Sequence, residues 1–220
     1  MIQSKLQFIT DHFNSIDSII KDTGEYKGLT VVAYYDIKEE HRYCLTIDKN
    51  NNGRNTLLLL CQNPSGELVD LNKLDKTIIN LINLSNKKKD IGYIIIINLL
   101  PKIYNPPFKD SSYKLPIDIY NTNKLLIDKC FTNEQIEYIY LAYGQDWTRK
   151  YNHHKLVIDY RKISDYIRER YIGTRDMWCN KSVNDKSKIG DILPCHGIRN
   201  GRLEFRCKVS KDEDNKLIIE

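Results

Sequence analysis

What the chain lacks sets its first limits. None of its six cysteines (Cys44, Cys61, Cys130, Cys179, Cys195 and Cys207) stands in a CxxC pair. Metal-binding thiolates usually come in such close pairs, so neither a metal nor an iron–sulfur site is expected. No apolar run approaches the roughly 20 residues that cross a bilayer. The opening "MIQSKLQFITDHFNSIDSII" is interrupted by Asp11, His12, Asn14 and Asp17, and it reads as an amphipathic helix rather than a secretory signal. The thiols are therefore expected to stay reduced in a cytoplasm. GxxxxGK[ST], GxGxxG and HExxH are all missing, which removes the usual signatures of P-loop, dinucleotide and zinc-protease chemistry. No internal repeat and no low-complexity linker divides the chain.

What is present suits one soluble globular domain. The chain has 220 residues, 41% hydrophobic and 29% charged, enough to bury a sizeable core. Its formal net charge of +5 suits a polyanion such as nucleic acid. The wealth of Ile, Asn, Lys and Tyr also fits an AT-rich genome, a source of lysine unrelated to function.

Residues 4–22 have helical spacing through Leu6, Ile9, Phe13, Ile16 and Ile20. Thr30 to Tyr35 and Tyr43 to Ile47 read as two strands of a hairpin joined by "DIKEEHR". "TLLLLC" and "YIIIIN" are short continuous apolar runs, the pattern of strands covered on both faces. "LNKLDKTIINLINLSN", "NTNKLLIDKCF" and "KLVIDYRKISDYIRERY" read as helices. "IEYIYLAYG" and "DILPCHG" read as further strands, and "RLEFRCKV" as a closing edge. Strand–helix alternation predicts an α/β fold: three layers, α/β/α, around a central mostly parallel four-stranded sheet, with an N-terminal helix and β-hairpin. The divisions expected are an extension over 1–54, an α/β core over 55–200 and an edge strand over 201–220, all in one domain.

In such sheets ligands bind beyond the carboxyl ends of the strands. Polar residues collect there: Asn63-Pro64-Ser65-Gly66, then Asn98, then Gly144-Gln145-Asp146-Trp147, then His196-Gly197. Each has an ordinary reading. An Asn before Pro forms turns, a lone His is more often structural than catalytic, and Trp147 suits core packing as well as base stacking. Their joint occurrence at one edge is the signal.

In that order the motifs resemble the uracil-DNA glycosylase superfamily, over residues 55–200. They also resemble an uncharacterised bacterial and phage domain family with the same layout. "CQNPSG" is similar to the water-activating motif, "IIIINLLPKIYNPP" to the base-reading strand end, "YLAYGQ" to a later Gly-containing segment, and "PCHGIRNG" to the closing His motif. His196 is followed by Gly-Ile-Arg rather than Pro-Ser. None of Tyr93, Tyr104 and Phe108 is an evident counterpart of the aromatic that stacks on uracil.

The resemblance implies a monomeric cytoplasmic DNA glycosylase with no cofactor, acting on DNA and removing a modified pyrimidine, with antiviral defence as a possible role. Asn63 would orient the water, with Asp70 or Asp75 supplying a carboxylate. His196 would donate to a base oxygen. Asn98 and Gln62 would read the base edge. Ser65, Lys102, Arg199 and Arg202 would hold DNA. Lys87–Lys89 suits a solvated turn better than a DNA contact. The alternatives are a non-catalytic nucleic-acid or nucleotide-binding module, and an unrelated small-molecule enzyme on a similar sheet.

Overall fold

The computed structural model describes residues 5–64, 70–71, 74, 76–104, 110–143, 154–179, 207–213 and 217–219. Among these, the helices are α1 (Gln7–Asn14), α2 (Lys76–Ser85), α3 (Ile117–Thr132) and α4 (Lys155–Arg170). The strands are β1 (Ile19–Tyr26), β2 (Leu29–Asp36), β3 (Arg42–Asp48), β4 (Asn55–Cys61), β5 (Ile91–Asn98), β6 (Tyr138–Leu141), β7 (Met177–Cys179), β8 (Cys207–Lys211) and β9 (Leu217–Ile219).

The expected four-stranded, mostly parallel sheet is not what forms. The strands make one nine-stranded mixed sheet in the order β1-β2-β3-β5-β4-β6-β7-β8-β9. Antiparallel pairings predominate: β1–β2, β2–β3, β3–β5, β7–β8 and β8–β9, against parallel β5–β4, β4–β6 and β6–β7. The reason lies in β3. Its residues Arg42 to Ile47 are all buried, and a strand with both faces and both edges covered needs a neighbour on each side. It pairs with β2 on one side and β5 on the other, so the hairpin is built into the sheet.

The helix expected over 4–22 stops at Asn14, and Ile19–Tyr26 is β1. This strand is solvent-facing and carries Lys21, Asp22, Thr23 and Glu25, so it has no apolar alternation to read. Its turn into β2 is Lys27–Gly28, with φ of 52° and 80°, the two left-handed residues of a tight hairpin. The runs "TLLLLC" and "YIIIIN" do become adjacent strands, β4 and β5.

Two apolar layers flank the sheet. Leu58, Leu60, Ile95 and Ile97 pack with Ile9 and Phe13 of α1, Leu126 and Phe131 of α3, and Tyr160 and Ile163 of α4. Leu57, Leu59, Ile94 and Ile96 pack with Ile78, Leu81 and Ile82 of α2. The two-residue side-chain period of β4 and β5 separates the sets. Among the described residues no helix is long and apolar enough to cross a membrane.

A candidate site at the carboxyl edge of β4 and β5

Cys61 and Asn98 are register partners at the ends of β4 and β5. Pairing continues past the strands: Leu99 N donates to Cys61 O and Leu100 N to Gln62 O, both at 2.9 Å. Asn63 follows, half-buried. Its Nδ2 donates to Pro64 O at 2.7 Å and to Tyr104 O at 3.0 Å. Both amide protons are spent on the backbone, so the polar atom left to Asn63 is Oδ1, an acceptor.

Asn98 is 1% exposed, and among the described residues its Nδ2 has no hydrogen-bond partner. Gln62 is 4% exposed, and its Nε2 likewise has none among them. Buried polar groups are nearly always satisfied, so both mark places where a ligand or water would be welcome. The backbone beneath is firmly held. Asn123 of α3 donates from Nδ2 to Asn98 O at 3.0 Å and Leu99 O at 3.1 Å.

The start of β3 meets this edge. Arg42 N donates to Pro101 O at 2.8 Å, and Ile103 N donates to Glu40 O at 2.9 Å. Lys102 bridges to His41 in the backbone and pairs with Glu40, Nζ to Oε2 at 3.0 Å. The Lys102 hydrogen bond holds the Glu40 carboxyl below its ordinary range. Lys102 is therefore already engaged with a carboxylate, in addition to lying over the Tyr113 ring.

A buried relay stands beside it. His41 Nδ1 lies 3.1 Å from Asp36 Oδ2, and His41 Nε2 lies 2.7 Å from the Tyr113 hydroxyl. His41 N also donates to Asp36 Oδ1 at 2.8 Å. Burial lowers the His41 pKa, with Asp36 opposing the shift. A neutral ring with Nδ1–H donating to Asp36 and Nε2 accepting from Tyr113 satisfies every contact.

The structure thus gathers Gln62, Asn63, Asn98 and Lys102 at one edge. Asp70 is exposed between β4 and α2. Asp75, Ser65, His196, Arg199 and Arg202, with Trp147, lie outside the described residues. Of the three aromatics considered for base stacking, Tyr93 sits near the start of β5, Phe108 lies outside the described residues, and Tyr104 is at the edge and buried, with burial pushing its phenol pKa up. Asp36, His41, Arg42, Tyr113 and Asn123 were not legible as site residues. The one signal was "DIKEEHR", where Asp36 and His41 stand five apart across a hairpin turn.

Elsewhere, a surface recess lined by Phe131, Thr132, Arg170, Tyr171 and Arg175 opens near the amino ends of β6 and β7. Arg175 donates there to Phe131 O and Asn133 O, closing the carboxyl end of α3. That is a structural use of its charge. Cys44, Cys61, Cys130, Cys179 and Cys207 are free thiols, and no metal-holding cluster occurs among the described residues.

A family model described as "Protein of unknown function (DUF1643)" matches residues 42–186. The match begins at Arg42 and takes in β3 to β7 with Gln62, Asn63, Asn98 and Lys102, while Asp36, Glu40 and His41 precede it. No curated protein and no solved structure matches the chain.

Proposed function

We propose that this chain, which belongs to the DUF1643 family, is a cytoplasmic, monomeric DNA glycosylase that hydrolyses the N-glycosidic bond of a flipped, modified pyrimidine and leaves an abasic site. The observation that carries the reading is the state of two amides on adjacent strand ends. Asn63 has spent both amide protons and offers Oδ1 as acceptor, and Asn98 has a buried Nδ2 without a partner among the described residues.

Glycosidic cleavage builds positive charge on the sugar and negative charge on the departing base. It needs a water held by an acceptor and a donor at the base edge. Asn63 Oδ1 is such an acceptor, and Asn98 Nδ2 is such a donor. Gln62 Nε2 offers a second donor. Asn63 cannot take the water's proton at neutral pH, so Asp70 or Asp75 has that part, and His196 donates to the base as charge grows there. Ser65, Lys102, Arg199 and Arg202 hold the DNA, Lys102 after exchanging Glu40 for a phosphate. Extrusion of the nucleotide from the stack gives the buried amides access to its edge. Defence against phage DNA is the role that removal of a modified pyrimidine suits.

An Asn in place of a carboxylate also suits a non-catalytic module that grips a base. One experiment separates the two. Purified protein is incubated with single- and double-stranded DNA carrying uracil, hydroxymethyluracil, hydroxymethylcytosine or glucosylated hydroxymethylcytosine. Free base is followed by mass spectrometry and abasic sites by alkali cleavage. Release of one base, lost in His196→Ala and Asn98→Leu, is expected. Salt-sensitive DNA binding without release of any base would overturn the glycosylase reading and leave the module.

A further inference from the structure

The β2–β3 register contains a break. Tyr34 faces Cys44 and Tyr35 faces Arg42, so Tyr43 is an extra residue on β3. Tyr43 and Cys44 both pack on the side of α1 and α3. Strict alternation from Cys44 would put Arg42 on that same side. The bulge changes the phase, and Arg42 instead shares the side of its partner Tyr35, which packs in the α2 layer. Asn98 is on that side too, because its register partner Cys61 packs there and Ile94 and Ile96 precede it in alternation.

Arg42 is 3% exposed, and among the described residues its Nε and Nη1 have no hydrogen-bond partner. Among the described residues, the carboxylates beside it in sequence are engaged elsewhere, Asp36 with His41 and Glu40 with Lys102. A guanidinium cannot shed its proton to escape burial. A buried charge without a counter-ion is costly, and a chain tolerates one where an anion completes the site.

We propose that Arg42 and the Nδ2 of Asn98, set on one face at the ends of adjacent strands β3 and β5, form a binding site for a phosphate oxyanion. The guanidinium supplies charge and direction, and the amide supplies a second donor beside it. The inference concerns binding rather than cleavage: Asn98 Nδ2 carries two protons, so one can face the oxyanion and the other a base edge, and the site serves a nucleotide-gripping module as well. Two ligands share the chemistry, a 5′-mononucleotide and the phosphodiester of a DNA strand.

The test is thermal unfolding and calorimetric titration of the full chain at constant ionic strength. The probes are inorganic phosphate, thymidine 5′-monophosphate, thymidine, and an oligothymidylate without terminal phosphates. Phosphate and the monophosphate are expected to raise the melting temperature while thymidine does not, and Arg42→Gln should weaken binding about 10- to 100-fold, the loss typical of a charge-assisted hydrogen bond. Asn98→Leu should weaken it less, and it serves where Arg42→Gln does not fold. Binding of the oligonucleotide with the same Arg42 dependence assigns the site to the DNA backbone; binding of the monophosphate alone assigns it to a free nucleotide. Equal responses of wild type and both variants to phosphate would overturn the proposal.

Discussion

The side-chain nitrogen of Asn63 donates to the main-chain oxygen of Tyr104 at 3.0 Å, and so the loop leaving β4 is tied to the loop leaving β5. The same nitrogen holds Pro64 O at 2.7 Å. Asn63 is both a framework residue and, through Oδ1, the bearer of the acceptor at the candidate site.

Asn63→Asp is expected to destabilise the fold although it looks conservative. The exchange removes two donors and points a carboxylate at two carbonyl oxygens. At about 1 kcal/mol net for each bond, the loss at pH 7 is about 2 to 3 kcal/mol. The introduced carboxyl has no donor to favour its charged form, so its folded pKa rises above the unfolded value near 4. Stability of the variant relative to wild type should therefore recover as pH falls below that folded pKa and be lost as pH rises through it. Urea midpoints of both proteins at pH 7 and pH 4.5 measure this. A deficit of the same size at both values would contradict it.

His12 predicts a second pH dependence, in the opposite direction. It is 5% exposed in α1, its Nε2 has no partner among the described residues, and burial followed by the nearby Lys129 charge lowers its pKa to about 4. A folded pKa below the unfolded value of about 6.5 gives stability that is present above pH 6.5 and lost as pH falls through about 4. The shift supports a loss of about 2 to 3 kcal/mol. His12→Phe keeps a ring against Phe13, 4.8 Å away between centroids, and cannot be protonated. Its stability should fall less than that of wild type between pH 7 and pH 4.5 in thermal unfolding scans, and an unchanged slope would remove His12 as the source.

These residues also show what could be read without coordinates. The runs around Leu57–Leu60 and Ile94–Ile97 were legible because strands buried on both faces need no alternation, and they place Asn63 and Asn98 at one edge. The mixed sheet was not legible. Its antiparallel flank begins with β1, an edge strand whose polar side chains carry no pattern, and the parallel strand β7 is only Met177–Cys179, too short for any period. Arg42 was hidden for a different reason. A one-residue bulge decides which face it takes, and no composition rule reports a bulge. The relay of Asp36, His41 and Tyr113 needs the 72-residue separation between His41 and Tyr113 to be closed by the fold.

Gly92 and Gly53 meet backbone to backbone at the amino end of β5. A Cβ on Gly92 would overlap the Gly53 carbonyl, and one on Gly53 would lie 2.5 Å from Gly92 N and 2.7 Å from Ile91 O. The constraint is space: neither glycine has a positive φ. Gly92→Ala and Gly53→Ala should each cost about 1 to 3 kcal/mol, the range for overpacking. Because the two share one contact, the double variant should cost less than the sum. Additive losses in a chemical-denaturation cycle would show that the two sites relax independently.

The Asp36–His41 pair supports the most specific prediction. With Asp36 ionised, His41 carries its proton on Nδ1, and Nε2 accepts from Tyr113. Asp36→Asn leaves an oxygen able to accept from His41 N, and turns its amide nitrogen toward Nδ1. That nitrogen donates, so Nδ1 becomes the acceptor and the proton moves to Nε2, where it can donate to the Tyr113 oxygen. The ring is then held in the other tautomer. Losing the carboxylate also removes what opposes the burial effect, so the His41 pKa should fall further below its already lowered value. Nitrogen chemical shifts of the imidazole should report Nε2–H in the variant and Nδ1–H in wild type at pH 7. Stability should drop by about 1 to 2 kcal/mol, one charge-assisted bond becoming a neutral one. The same tautomer in both proteins would mean that Tyr113, not Asp36, sets the ring, and Tyr113→Phe would then be the substitution that releases it.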